Sequence, residues 1–386
     1  MNSQFKNSSL GTYIYAFLIL IMTAAVVFIF WYMYSGYKMG TYAENTVLGS
    51  VYVGGLREDD VDPLMNTRID RWLGDETVLF EATYQGYSYE FDRELFIFNI
   101  NDSKLSIQPG IINQLKVTYT TENETTIINE LKDLEFLQDV ENNIDYEKLI
   151  SDILYDASLM KSLSSHELED YLLTEDNIIA LGVSDIIVPS GINVDDIIDG
   201  VIEKYGSNRI LLKDQYKFDV EVELGDVLPD AELTILSLGI FDLIQETNFS
   251  INEVHYENEI TGSYTVADFP YFGRNVKIFE ISNESFSFYN PNDGYYYFEV
   301  MKADGKLRVV LHGLPFVNDI VIDDSRIFTI PFAIRESEDP SDVAAGVLGV
   351  DVTIYRIITD IYGNIIYNNI IVKEFYPPEV EINLKP

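Results

Sequence analysis

The apolar pattern begins with a continuous run. Tyr13 to Tyr34 is 22 residues without a charge. As a helix, at 1.5 Å per residue, it would be about 33 Å long, enough to cross a hydrocarbon core. Tyr13 and Tyr15 stand at one end and Trp31, Tyr32, Tyr34 and Tyr37 at the other, the placing expected of interfacial aromatics. A cleaved signal peptide would carry small residues just beyond a shorter apolar stretch. Here Trp31-Tyr32-Met33-Tyr34 fills that place, so the reading is an uncleaved anchor over residues 13–37 behind a short tail, 1–12.

Beyond the run the pattern becomes periodic. Thr46–Val53 reads as a strand closed by Gly54-Gly55. Val61, Leu64, Met65, Ile69, Trp72 and Leu73 then recur on one helical face, with Glu58, Asp59 and Asp60 in the first turn and Gly74 as the stop. Val78–Tyr84 and Tyr87–Phe91 flank Gln85-Gly86 as a hairpin, and Glu94–Ile100 and Gln114–Thr120 add strands. This predicts a small α+β domain over 41–120.

Residues 121–208 read as a mainly helical segment. Tyr146, Leu149, Ile150, Ile153 and Leu154 form one stripe. Ser164 with Glu167 suggests a capping box, with His166 exposed in a first turn, and Asn193–Tyr205 ends at Gly206. From Arg209 strands dominate. Tyr295–Ala303 and Lys306–His312 alternate around Asp304-Gly305, and Val350–Asp360 and Ile365–Phe375 around Tyr362-Gly363-Asn364. Val276–Ile281 and Thr329–Ile334 are further strands, and Tyr376-Pro377-Pro378 ends the last hairpin. The expected fold class is α+β, mostly β. It comprises one transmembrane helix, the small α+β domain, the helical segment and an antiparallel β domain over 209–386.

Composition changes the picture through charge. The 386 residues hold 25 Lys+Arg against 64 Asp+Glu, a formal net charge of -39. A phosphate backbone would be repelled, so nucleic acid is excluded as a partner. Residues 1–40 contain no acid and two lysines, Lys6 and Lys38, so the body alone carries 64 acids and 23 bases, a net of -41. One Lys on each flank leaves the positive-inside count tied, and the α-amino group tips it toward a cytoplasmic N-terminus and an extracytoplasmic body. Cysteine is absent, which removes disulfides, thiolate metal sites and cysteine nucleophiles, and suits export.

Two stretches resemble one family. After the anchor, VLGSVYVGGLREDDVDPLMNTRIDRWLG resembles the N-terminal domain assigned to peptidoglycan binding in VanW-like cell-envelope proteins. Phe269-Pro270-Tyr271-Phe272-Gly273-Arg274-Asn275-Val276 is similar to the family's Pro-x-x-Gly-Arg-Asp stretch, and Leu311-His312-Gly313 to its aliphatic-x-Gly strand end. VTIYRIITDIYGNIIYNNIIVKEFYPP resembles its closing hairpin. The family's glycine run followed by Cys-Gln has no counterpart in a cysteine-free chain. The resemblance therefore implies architecture and an envelope location, and no activity.

Motifs that carry chemistry are few. Ser158-Leu159-Met160-Lys161 fits Ser-x-x-Lys, in which a Lys one turn away can activate Ser, but the Lys-Thr-Gly strand that completes such a site is missing. Only three His occur, His166, His255 and His312, and no second His follows His166-Glu167 at zincin spacing. Asn290-Pro291-Asn292-Asp293-Gly294 and Asp323-Asp324 lack the oxygen spacing of a calcium loop and read as turns. Tyr295-Tyr296-Tyr297-Phe298 would alternate between core and surface in a strand, with sheet packing as the ordinary reading. No catalytic, cofactor-binding or metal residue is assigned, and no cofactor is expected. The reading is a non-catalytic, single-pass envelope protein that contacts peptidoglycan or scaffolds a surface assembly with other envelope proteins. The alternative is a wall-modifying hydrolase or transpeptidase.

Overall fold

The computed structural model describes residues 5–38, 40–173, 177–256, 272–278, 284–293 and 296–385. The fold is α+β, as the pattern predicts, with 35% helix, 34% strand and antiparallel sheets toward the C-terminus. The first helix, α1 (Phe5–Lys38), is 34 residues long. Its Thr12–Met33 stretch is long and apolar enough to cross a membrane, and none of it is buried against the rest of the protein. The chain divides into two compact units. One comprises Met1–Thr83, Ser88–Glu130 and Asp145–Glu167; the other Tyr84–Tyr87, Leu131–Ile144 and Leu168–Pro386.

In the first unit, β1 (Val47–Leu48) and β2 (Val51–Tyr52) form a tight hairpin where one strand was expected. Gly49 at φ +58° turns the chain between them, a conformation costly for a side chain. Helix α2 (Glu58–Leu73) follows, burying Val61, Met65, Ile69 and Trp72 and leaving Leu64 exposed. Next come β3 (Leu79–Tyr84), β4 (Tyr87–Glu90), β5 (Ile97–Asn99), α3 (Ile100–Leu105), β6 (Ile112–Asn113) and β7 (Lys116–Thr118). Then follow α4 (Thr121–Lys132), α5 (Tyr146–Ser158) and β8 (Leu163–Glu167). The sheets run β2-β1-β6, β4-β3-β8 and β5-β7. Trp72 centres the core: its ring meets Phe80 edge-on at 5.3 Å and Phe98 at 5.7 Å, and its Nε1 donates to Lys161 O at 2.7 Å. That bond satisfies the one polar atom of a buried indole.

The stretch Ser164–Glu167 is strand β8, parallel to β3, and not a helix start. Long-range pairing here overrides a local capping pattern. In the second unit, β9 (Ile179–Ile186) is another strand within the stretch read as helical. It precedes α6 (Val194–Tyr205), which ends as predicted at Gly206 with φ +73°. After β10 (Arg209–Leu212), β11 (Tyr216–Asp219) and α7 (Val220–Leu224) comes α8 (Asp230–Gln245), a helix where strands were expected to dominate. Twelve of its 16 residues are buried, so it carries no polar stripe from which a helical period could be read.

The remaining strands are β12 (Ser250–Glu253), β13 (Ser287–Asn290), β14 (Tyr296–Ala303), β15 (Lys306–Gly313) and β16 (Asp319–Ile330). They are followed by β17 (Ile334–Ser337), β18 (Gly349–Thr359), β19 (Ile365–Tyr376) and β20 (Glu381–Leu384). Antiparallel sheets run β10-β14-β15-β9, β11-β13-β12 and β16-β18-β19, and β17 pairs in parallel with β20. The expected strand Thr329–Ile334 is divided between β16 and β17, around Pro331, which has no N–H for a ladder. Residues 276–278 are not in a strand, and the Ile281 end of that expected element lies outside the described residues. Helix α8 packs on β9 and β15, with Gly239 close to Ile186 and Val309, where a Cβ would stand 2.5 and 2.8 Å from their side chains.

Candidate functional site

The Ser-x-x-Lys motif does not assemble. Helix α5 ends at Ser158, and Met160 takes φ +54°, so Lys161 is not one turn along a continuing helix. Ser158 Oγ is buried and donates to Tyr155 O at 2.5 Å, while Lys161 Nζ pairs with Asp156 at 2.6 Å. Asp156 also accepts from Ser164 Oγ at 2.8 Å, and Ser164 Oγ lies 2.9 Å from His166 Nε2. The Ser164 proton is directed at a carboxylate and not at an imidazole, the reverse of what activates a serine. His166 is largely buried on β8, contrary to the exposed position expected of it. Burial lowers its pKa more than the neighbouring Asp156 raises it. This is a buried polar cluster that holds α5 to β8.

The other motif residues are structural as well. Asn290 donates to Lys213 O at 3.2 Å and accepts from Asn292 N at 3.1 Å, a plain turn; Gly294 lies outside the described residues. Asp323 accepts from Ser325 N at 3.0 Å where the β16–β18 register shifts, and the Ser325 side chain together with this N–H holds its carboxyl below the usual range. Tyr296 and Phe298 face the core, whereas Tyr297 stacks on His312 at 4.7 Å; Tyr295 lies outside the described residues. No group of three or more His, Asp or Glu among the described residues is arranged to hold a metal ion.

Two of the segments that carry the family resemblance meet in the second unit. Gly273 N donates to Glu374 Oε2 at 2.7 Å, and Tyr376 Oη donates to the same oxygen at 2.8 Å. Asn275 Nδ2 reaches Tyr376 Oη at 3.2 Å, and Gln245 Nε2 donates to Gly273 O at 2.8 Å. Arg274 pairs with Asp242 of α8. Gly273 sits at φ +88°, and a Cβ there would stand 2.0 Å from Ile354 Cδ1. Only glycine fits so close an approach. Glu374 is 2% exposed, and burial pushes its carboxyl up to about 7 against the hydrogen bonds that favour the ion. It has no solvent-facing opening, so the cluster clasps residues 272–276 to β19. Phe269, Pro270 and Tyr271 lie outside the described residues.

A concave site lies elsewhere in the second unit. A cleft of about 350 Å³ is bounded by Glu135, Phe136 and Asp139, by Phe316 and Asp319, and by Asp360 at the β18–β19 turn, with Tyr84 also in its wall. Four acids line it and no base does. Asp360 is engaged as a turn acceptor from Asn364 Nδ2 at 3.0 Å, Asn364 N at 2.8 Å and Tyr362 N at 2.9 Å, which hold its pKa down. Tyr87 stacks on Phe136 at 5.5 Å and Tyr296 on Phe316 at 5.8 Å, so both aromatic walls are fixed from behind. Sequence reading placed Glu135 and Asp139 only within the mainly helical segment 121–208. Their partners across the cleft are some two hundred positions away, and no local signal links them. No family model, no curated protein and no solved structure matches the chain.

Proposed function

We propose that this chain is a single-pass, membrane-anchored and non-catalytic cell-envelope protein. Its body lies outside the cytoplasm and contacts peptidoglycan or scaffolds a surface assembly. The observation that carries the reading is α1: its 22-residue apolar stretch is exposed throughout, whereas the apolar residues that follow it are buried in cores. Such a surface is stable in a bilayer and not in water. The Trp31-Tyr32-Met33 end of that stretch continues the helix where a cleavage site would require small residues, which favours an anchor over a removed signal. The non-catalytic reading is supported by Ser158 and Lys161, whose polar atoms are committed to Tyr155 O and Asp156. The VanW-like resemblance supports the wall as the surface contacted.

The test is retention of the detergent-solubilised full chain on purified peptidoglycan, beside a control protein of equal net charge. Retention above that control is expected, and none would discard wall contact. Turnover of wall fragments, or labelling by a β-lactam probe that is lost in Ser158→Ala, would overturn the non-catalytic reading in favour of a wall-modifying enzyme.

A further inference from the structure

We infer that the first unit lays a preformed apolar surface, centred on the Leu105–Ile112 loop, in the interface of the bilayer that α1 crosses. The inference rests on the anchor reading, holds for either orientation of the body, and does not involve wall contact. Its first support is the tether. Helix α1 runs to Lys38, five positions past its apolar stretch, which adds about 7 Å at 1.5 Å per residue. Folded structure resumes at Thr41, which bridges to Arg57, with Tyr42 N donating to Leu56 O at 2.9 Å. From Lys38 to Thr41 the chain can span at most about 11 Å. Thr41 is therefore held within about 20 Å of the hydrocarbon core.

The second support is what lies beside that entry point. Gly110 N donates to Thr46 Oγ1 at 2.9 Å, and Val47 N donates to Ile111 O at 3.0 Å. A Cβ at Gly110 would stand 3.8 Å from Glu44 O. Yet the apolar side chains of this loop lie in water: Leu105 is 84% exposed, Ile112 66% and Ile111 48%. Tyr52, whose hydroxyl donates to Glu44 Oε2 at 3.0 Å, is 51% exposed. From Leu105 to Leu115 no residue is charged, in a body with a net of -41. Large apolar side chains exposed together mark an interaction site.

The surface is fixed in advance. Buried Asn113 accepts from Gln108 N at 2.6 Å, and its Nδ2 lies 2.9 Å from Gln108 O, 3.1 Å from Ile111 O and 3.2 Å from Val47 O. The loop thus keeps its shape, and its place beside β1, without a partner. Its chemistry suits lipid. Aliphatic tips with a tyrosine beside them match the boundary between headgroups and acyl chains. Lys116, exposed at the end of the uncharged run, can extend its ammonium toward lipid phosphates.

The test places the full chain in discs of phosphatidylcholine. The chain has no Cys, so each single-cysteine variant carries one fluorophore. The quenchers are lipids with a nitroxide either shallow or deep in the acyl chain. Labels at Leu105→Cys and Ile112→Cys should be quenched about twofold or more, and more by the shallow nitroxide, the depth of an interfacial contact. A label at Ala24→Cys, midway along the apolar stretch of α1, should be quenched more by the deep one. Val222→Cys, at a position 73% exposed on α7, reports the dye's own affinity for lipid. Quenching at Leu105 and Ile112 no greater than at Val222, with Ala24 quenched, would overturn the inference and leave the anchor standing. Absence of quenching at Ala24 as well would overturn both. Shielding from aqueous iodide that grows with the number of chains per disc, without lipid quenching, would assign the surface to a second copy and overturn the inference.

Discussion

Glu374 shows how far one residue can set a pH dependence. Val372, Glu374 and Tyr376 are the core-facing positions at the end of β19, so an acid occupies an apolar register. That alternation is legible in the sequence; what it cannot show is Gly273 N and Tyr376 Oη meeting the carboxyl. Folding raises the carboxyl from its ordinary 4.5 to about 7, so the fold favours the protonated form. The associated stability is whole below about pH 4.5 and is lost as pH rises through about 7. Glu374→Gln keeps the shape and cannot ionise. Between pH 5 and pH 8 the wild type should lose on the order of 3 kcal/mol relative to this variant, read by urea unfolding at matched ionic strength. Parallel pH profiles for the two proteins would contradict the assignment.

At the scale of elements, α8 shows why part of the fold was hidden. A helix buried nearly all round has no amphipathic period, and its apolar content reads equally well as strand. The hairpins β14–β15 and β18–β19 were legible because alternation and turn residues agree there, with Gly305 at φ +78° and Gly363 at φ +80°. The C-terminal end of α8 depends on a residue far along the chain. Arg356 of β18, 2% exposed, donates to Ile244 O at 3.2 Å and Thr247 O at 2.6 Å. A cation there meets the negative end of the helix dipole and adds a donor to Ile244 O, which also accepts from Thr247 N at 3.2 Å and Thr247 Oγ1 at 2.8 Å. Its guanidinium also lies 5.4 Å from the Tyr367 ring. Arg356→Met keeps the bulk and removes the donors. It should cost about 2–4 kcal/mol in chemical unfolding. A loss under 1 kcal/mol would show that Thr247 O, like Ile244 O, is satisfied without it.

For the whole molecule, charge and the exposed apolar helix α1 decide behaviour. Residues 41–386 carry a net of -41, and the described ion pairs neutralise few of these acids. The Debye length falls from about 30 Å at 0.01 M to 8 Å at 0.15 M, so added salt should relieve self-repulsion. The melting temperature should rise with stepwise NaCl, and CaCl₂ at equal ionic strength should add only a graded effect. No response to salt would sink the repulsion argument, and a calcium effect saturating at micromolar concentration would reveal a metal site among the acids. Net charge and the uncharged run were fully legible from composition and pattern. The acidic cleft was not, because three distant segments must fold together before their carboxylates share one hollow.

The most direct test of the account is protease accessibility of the full chain, tagged at its C-terminus, in protoplasts of a single-membrane bacterium. The expected result is a chain that stays with the carbonate-washed membrane, loses its tag to external protease, and leaves a short protected N-terminal fragment containing α1. Recovery of the tagged body in the medium or the soluble cytosol, or a tag that survives until the cells are lysed, would contradict it.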